Sequence, residues 1–368
     1  MRFPDDVPEL TDGVVTLRAP TSADEPRVVE QCTDPQSVEW TTVPTPYGKQ
    51  EAAEFVGKHI PQGWSDETNL VFAIEHQGLF AGSVDLRLRG AGEAEVGYGL
   101  HPEARGQGVM RRALNLLLDW GFSKQDLVVV HWRANVGNWA SRRAAWAVGF
   151  TFGPTIPRLL DHRGERRDGW TAWILADDPR EPRERWLEPP VLERGTLRLR
   201  PWRDGDGNRI VEAANDALLR QFVPNSPLPT EPAEVPDYLT RVRLMAATNT
   251  RLAWCVADRA TDHALGNVAL FDFEGPENDE TAQVGYWAHP DARGGGVMSA
   301  AVDLACEWSM RTTDAGGLGL RRLFLLTAAS NTASRRVAER ARFVHVGTER
   351  ESGPGRDSHA VYDRLRGD

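Results

Sequence analysis

The stretch Glu95 to Phe122, EVGYGLHPEARGQGVMRRALNLLLDWGF, decides the fold. Glu95 to Leu100 is short, apolar and partly aromatic, the pattern of a buried strand. His101-Pro102 ends it, because the residue before a proline leaves helical geometry. Arg105 to Met110, RGQGVM, is a turn whose glycines allow close backbone approach. Met110, Ala113, Leu114, Leu117 and Leu118 then fall at helical spacing. A helix that starts from a glycine turn directs unpaired N–H groups and its positive dipole end into that turn, which makes an anion site.

The pattern recurs at Val284 to Met310, VGYWAHPDARGGGVMSAAVDLACEWSM. The closing helices NWASRRAAWAVGF (Asn138 to Phe150) and NTASRRVAERARF (Asn331 to Phe343) also agree in register. The chain is therefore an internal repeat. Each half reads strand, helix, helix, hairpin, strand, helix, strand, helix, strand. The first half has Val14–Arg18, a helix over 24–33, an irregular proline-rich wall over 34–47 and a helix over 50–60. It continues with a hairpin over 70–87, the organising stretch, a strand over 127–132, the 138–148 helix and a strand over 169–175. In the second half the first helix is expected over 206–217 and the second over 235–246. Strands joined by a helix imply a parallel pair. The expected domains are 1–178 and 195–368, with 179–194, rich in proline and charge, as the linker.

With 368 residues the chain can bury two separate cores. Its formal net charge of -10 argues against a nucleic-acid surface. Three scattered cysteines, Cys32, Cys255 and Cys306, give neither a disulfide framework nor zinc spacing. No apolar run is long enough to span a bilayer and no signal peptide is evident, so a reducing cytoplasm is the expected compartment. His101 and His289 mark turns, and neither has a second metal ligand nearby.

These residues resemble the GNAT superfamily of N-acetyltransferases twice in tandem, and within it the RimJ/RimL type. The carriers are the R-G-x-G-V-M turns, the V-G-Y strands before them, and the N-x-A-S-R-R helices at Asn138 and Asn331. A dinucleotide-binding turn fits worse, since Arg111 stands where its third glycine would be. The resemblance implies an α/β fold, in which each domain is a twisted mixed sheet with splayed fourth and fifth strands. It implies acetyl-coenzyme A as donor. The pantetheine would lie along Val96, Gly97 and Tyr98 with its amide on Asn138. The diphosphate would lie on Gly106, Gln107, Gly108, Val109 and Met110, with charge from Arg105, Arg111 and Arg293. The matching positions in the second half are Gly294, Gly295, Gly296, Val297, Met298, Asn331 and Ser334.

Attack of an amine on a thioester needs a base, an oxyanion donor and an acid. By the same resemblance Glu95 is the expected base, its pKa raised in a partly apolar cleft, with Glu93 as substitute. Backbone N–H groups around Gly97-Tyr98-Gly99 are the oxyanion donors and Ser141 is the acid. Other members place a tyrosine where Ala145 and Ala338 stand here. Asn138 and Ser141 can equally serve as ordinary helix caps. Trp40, Tyr47 and Trp170 are candidate acceptor contacts, with Trp132 and Trp139 behind them, and Asp34, Glu39 and Asp168 could hold a cationic amine. In the second half Gln283 replaces Glu95 and Arg342 replaces Gly149, so that half is the expected degenerate one unless Asp279, Glu280 or a water chain serves. The expected reaction is acetyl transfer to a primary amine of a small molecule, an antibiotic or a peptide N-terminus. The alternative is an acyl-coenzyme A binding or sensing protein. No nucleic acid, membrane or metal is expected as a partner, and the chain is either a monomer with an internal pseudo-dimer or a homodimer.

Overall fold

A computed structural model describes residues 1–224, 226–275, 280–351 and 357–368. Contacts divide the chain into two compact units, Met1–Arg183 and Glu184–Asp368. The expected linker is not a free segment. An added Cβ at Gly149 would strike the carbonyls of Pro179 and Glu181, so that stretch lies on the first unit. Leu187 joins the second unit's core, and Leu192–Arg194 forms a strand of its sheet.

In the first unit the strands are β1 (Leu10–Thr11), β2 (Val15–Arg18), β3 (Asn69–His76), β4 (Leu79–Gly90), β5 (Glu93–Leu100), β6 (Val129–Asn135), β7 (Thr151–Phe152), β8 (Ile156–His162) and β9 (Glu165–Leu175). Their order is β1-β2-β3-β4-β5-β6-β9-β7, with β8 on β9. Neighbours are antiparallel except β5 and β6, which are parallel because α5 (Val109–Lys124) crosses over between them. Those two strands pair only at Glu93↔Val129, Ala94↔Val130 and Glu95↔His131, then part. The remaining helices are α1 (Glu25–Thr33), α2 (Pro35–Trp40), α3 (Lys49–Glu54), α4 (Ile60–Ser65) and α6 (Trp139–Ala147).

The second unit repeats the plan. Its strands are β10 (Leu192–Arg194), β11 (Leu197–Arg200), β12 (Arg251–Asp258), β13 (Ala264–Glu274), β14 (Thr281–Ala288), β15 (Arg322–Ala328), β16 (Val344–Glu349) and β17 (His359–Leu365), in the order β10-β11-β12-β13-β14-β15-β17-β16. Here β14 and β15 are parallel and pair only from Thr281↔Arg322 to Gln283↔Phe324. The helices are α7 (Gly207–Ala214), α8 (Ala217–Phe222), α9 (Val235–Ala247), α10 (Val297–Met310) and α11 (Thr332–Arg340).

Both sheets are covered on two faces. Met298, Ala301, Val302 and Ala305 of α10 pack with Leu270 and Val284 on one face, and Ile210, Tyr238 and Leu239 pack with Cys255 and Ala257 on the other. In the first unit Phe72 sits edge-on to both Trp64 and Trp120, with centroids 5.2 Å apart in each pair.

Several elements depart from the sequence reading. The irregular wall contains α2, because the Asp34 carboxylate accepts the Ser37 N–H and Pro35 presets the first turn. The expected 50–60 helix runs from Lys49 to Ser65 through a π-helical turn at Phe55–His59. The 206–217 helix breaks, and Asp216 caps α8 by accepting the Leu219 N–H. Strands β8 and β16 were not expected.

Each unit is pinned at the same corner by an arginine fork. Arg18 binds Asp24 at 2.8 Å and Glu75 at 2.7 Å; the matching Arg200, 1% exposed, binds Asp206 at 2.8 Å and Asp262 at 2.9 Å. Burial pushes the Asp24 carboxyl up, but the Arg18 hydrogen bonds and the Thr21 N–H bring it below its ordinary value of 3.8. A carboxyl depressed on folding stabilises the fold above that value and ceases to do so as pH falls through its folded value. Asp24→Asn should therefore cost about 2 kcal/mol at neutral pH, the usual effect of unpairing a charged hydrogen bond. The two proteins should converge in urea titrations below the ordinary carboxylate range, and a gap constant with pH would refute the pairing.

Candidate active site

The site begins at the split. Where β5 leaves β6, one edge of each strand lacks its ladder, and backbone groups there need another partner. A cavity of about 420 Å³ occupies the split; Glu95, Val96, Tyr98, Asn138, Ser141 and Trp40 are among its walls.

At one end stands the glycine turn. Gly106 and Gly108 both have φ of 74°, and Gly294 and Gly296 have 84° and 77°. Only the first and third positions need the left-handed region, which is why Gln107 can stand where Gly295 does. Among the described residues the N–H groups of residues 106–110 have no backbone acceptor. They cap α5 with donors facing outward, an arrangement suited to phosphate oxygens.

Arg105, an expected phosphate partner, is engaged elsewhere. Its guanidinium donates to Asp34 at 2.7 Å, Ser37 Oγ at 3.1 Å, Gln36 at 2.8 Å and the Leu100 carbonyl at 3.2 Å. It ties the turn to the cap of α2. Arg293 does the same with Asp216, the cap of α8, at 2.5 Å. That bond, against burial, holds the Asp216 carboxyl below its usual value. Arg111, exposed in the first turn of α5, has no ion pair among the described residues.

Beyond the turn, Asn138 accepts the Ser141 N–H at 3.2 Å, as Asn331 does for Ser334 at 3.0 Å. The cap is real, and it also aims Ser141 at the split. Trp132 of β6 donates its indole N–H to Ser141 Oγ at 3.1 Å. Ser141 Oγ in turn donates to the Tyr98 hydroxyl of β5 at 3.2 Å, and Tyr98 donates to the Ser141 carbonyl at 2.7 Å. Burial raises the Tyr98 phenol well above its ordinary value, keeping it protonated. Sequence reading placed Tyr98 along the pantetheine and gave Ser141 as the acid, with Ala145 where other members carry a tyrosine; the structure supplies a phenol from the strand. The recurrence of V-G-Y in both halves was the available signal, and Tyr286 meets Ser334 Oγ at 2.7 Å.

Glu95 stands at the last paired rung of the split, 7% exposed. Its surroundings are not the partly apolar cleft expected. Oε2 accepts from Arg89 at 2.5 Å and from Arg133, while Oε1 has a longer contact to Arg87 at 3.6 Å. Arg87 also reaches Asp85 at 2.9 Å. An added Cβ at Gly97 would meet the ends of the Arg87 and Asp85 side chains, so the two cross closely over this glycine. Sequence reading missed this cluster. DLRLRG (Asp85 to Gly90) alternates polar with apolar, and hairpin register sets Arg87 opposite Glu95. Glu93 is a more exposed neighbour, 3.9 Å from His131.

The aromatic candidates separate. Trp40, at the end of α2, lines the cavity and rests on Gly137. Trp170 lies within β9, 1% exposed, 4.7 Å from Trp139 and with the Arg142 guanidinium 4.8 Å from its ring. It is core and does not reach the cavity. Tyr47 packs on the Val28 and Cys32 cluster. Asp168 accepts the Arg158 N–H. His101 is buried, with Nδ1 accepting the Glu103 N–H and Nε2 facing Glu30 at 2.9 Å, so it fixes the turn. Asp279 lies outside the described residues, and Glu280 caps the strand entry through its carbonyl. Among the described residues no cluster of metal-ligating side chains occurs, and no helix is long and apolar enough to cross a membrane.

The geometry defines a slot for an extended molecule with an anionic end. The sequence matches the family model "Acetyltransferase (GNAT) domain" over residues 15–151 and again over 196–344. The chain belongs to the GNAT acetyltransferase family, with one domain in each half, and is a GNAT-type N-acetyltransferase. Similar solved structures include Mycobacterium smegmatis RimJ in complex with a coenzyme A disulfide, 24% identical, covering 48% of this chain and 91% of that one with a TM-score of 0.43. RimL, the ribosomal L7/L12 alpha-N-protein acetyltransferase with coenzyme A, is 18% identical over 46% of this chain and 98% of its own (TM-score 0.42). The microcin C7 self-immunity acetyltransferase MccE, with acetyl-CoA and AMP, is 19% identical over 45% and 93% (TM-score 0.42). No curated protein sequence matches the chain.

Loss of the Asp34 carboxylate should release both the α2 cap and Arg105. In Asp34→Ala, amide hydrogen exchange over residues 35–41 should accelerate by at least tenfold, with stability lowered by about 1 kcal/mol. Unchanged exchange would show that α2 is held by other contacts.

Proposed function

We propose that the first domain transfers an acetyl group from acetyl-coenzyme A directly to the primary amine of a small molecule or a peptide N-terminus. The carrying observation is that Glu95 and Ser141 open onto one cavity at the strand split. Acetyl-coenzyme A supplies an activated thioester carbonyl. The turn N–H groups of residues 106–110 hold its diphosphate, aided by Arg111. Arg105 acts one step back, by holding the turn against α2. The free edge of β5 at Val96, Gly97 and Tyr98 pairs with the pantetheine amides as a neighbouring strand would. Its N–H groups face the developing oxyanion.

Glu95 takes the ammonium proton through Oε1, the oxygen with only the 3.6 Å arginine contact. The arginines hold the carboxylate in place at the apex of the split. Ser141 passes its Oγ proton to the departing sulfur and takes one back from solvent once the thiol has left, while the Tyr98 phenol stays protonated and holds the serine in place. Trp40 forms part of the acceptor wall. The three cysteines, all buried and unpaired, suit a reducing cytoplasm.

The second domain keeps the turn, the split and the Tyr286–Ser334 pair, but Gln283 stands where Glu95 would be. A carboxamide cannot accept the proton, so this half binds acyl-coenzyme A and transfers poorly. Arg342 in place of Gly149 does no harm: it adopts φ of 65° and pairs with Asp303 at 2.6 Å.

Thiol release with a panel of amines tests the transfer. Glu95→Gln should lower turnover roughly 100-fold at neutral pH, within the usual range for a general base, and by less at high pH where the amine is already neutral. Equal loss at every pH would leave Glu95 a structural clamp. Calorimetric titration with coenzyme A should give two equivalents per chain, and a single equivalent lost on substitution of Gly108 by Val would make the second domain structural only.

A further inference from the structure

The two sheets carry the same cross-strand row with different chemistry. In the first unit register aligns Asn69, Arg87, Glu95 and His131 across β3 to β6. In the second it aligns Arg251, Phe271, Gln283 and Phe324 across β12 to β15. One rung further in, Asp85 beside Gly97 becomes Ala269 beside Gly285, and past the split Arg133 becomes Leu326. Every charge of the first cluster is gone from its own place, and one arginine has appeared at the far end of the row.

Arg251 lines a cavity of about 370 Å³ together with Phe222, Tyr238, Phe271 and Trp287. Its guanidinium lies 4.8 Å from the centre of the Phe271 ring. Among the described residues it has no hydrogen-bond acceptor and no salt bridge, and no Asp or Glu lines this cavity. Burial lowers its pKa, with Tyr238 and Asp272 acting weakly the other way. A second guanidinium, Arg241, lies over Tyr238 at 5.6 Å and donates to the Pro227 carbonyl. A partly desolvated guanidinium with no counter-ion in contact is costly unless a ligand provides one. In the first unit Glu95 answers the arginines of its row; here no carboxylate among the described residues touches Arg251, and Asp272 acts on it only from beyond contact distance.

We infer that this cavity binds a carboxylate on an aromatic body, the carboxylate pairing with Arg251 and the ring lying among Phe222, Phe271 and Trp287. A planar fork suits bidentate pairing with a carboxylate, and Phe271 offers a ring face where the first unit has Arg87. The same cavity reaches Tyr286 and Ser334, which also border the cavity at the second glycine turn, so the ligand would lie on the acceptor side of the split. The inference rests on this lining and holds whether or not the first domain performs acetyl transfer.

The test titrates phenylacetate, its neutral isostere phenylacetamide, and inorganic phosphate into the full chain by calorimetry. Phenylacetate should saturate at one equivalent, with phenylacetamide at least tenfold weaker and phosphate, which the glycine turns can hold, unable to displace it. Arg251→Met should weaken phenylacetate at least tenfold, with folding checked by circular dichroism. Gln283→Glu places a carboxylate in the same row without removing the arginine, and should weaken it by a similar factor. No binding at millimolar concentration, equal binding of the amide, displacement of phenylacetate by phosphate, or indifference to both substitutions would overturn the assignment. If Arg251→Met does not fold, the Gln283→Glu result decides.

Discussion

Everything in each domain depends on a parallel strand pair that closes for three rungs and then opens. A parallel ladder normally satisfies both strands along their length. Here β5 keeps β4 on one side and β6 keeps β9, so neither strand can move to close the gap without breaking its outer ladder. The gap is bridged from one face by a single residue. Tyr98 from β5 and Trp132 from β6 both hydrogen-bond Ser141 at the head of α6. The helix N-terminus is thereby held over the opening, at the place where a strand-like ligand would enter.

The two halves show which parts of this frame tolerate change. The arginine–aspartate pair at Asp24 and Asp206, the histidine turn at His101 and His289, the Arg105–Asp34 and Arg293–Asp216 ties and the tyrosine–serine pair all recur at matching positions. The arginine ties and the tyrosine–serine pairs border the slot. The cross-strand row on the opposite face is the part that differs, from charged to aromatic. The indole contact to Ser141 has also gone, since Leu325 follows Phe324 where Trp132 follows His131. Frame and row are physically separable because successive strand residues face opposite sides of a sheet.

The frame was legible because it is local. A glycine turn, a proline stop and an asparagine cap each express a backbone requirement within a few residues, and their repetition made the reading firm. The row was not, because Arg87, Arg133 and Glu95 come from three strands and meet only through register. Helix α2 was hidden by the prolines of its stretch, of which Pro35 begins the helix behind the Asp34 cap. Trp170 read as an acceptor contact because the groups that cover it, Trp139 and Arg142, come from a helix distant in sequence. Arg105 read as a phosphate ligand because its partner Asp34 lies far off in sequence.

The position of Glu95 follows from the same constraint. It is the last residue of β5 still paired with β6, so its side chain projects at the apex of the opening, where the walls are closest. A carboxylate so enclosed would be expelled from the fold or neutralised unless cations accompanied it. Arg87 comes from the strand on one side and Arg133 from the strand on the other, so the cluster ties the two arms of the opening together at its base. Gln283 occupies the same apex without needing any of this, and its arginines are absent. Carboxylate and arginines therefore form one unit. A half that keeps the apex carboxylate must keep the cluster, and a half that gives it up is free to line the row with rings.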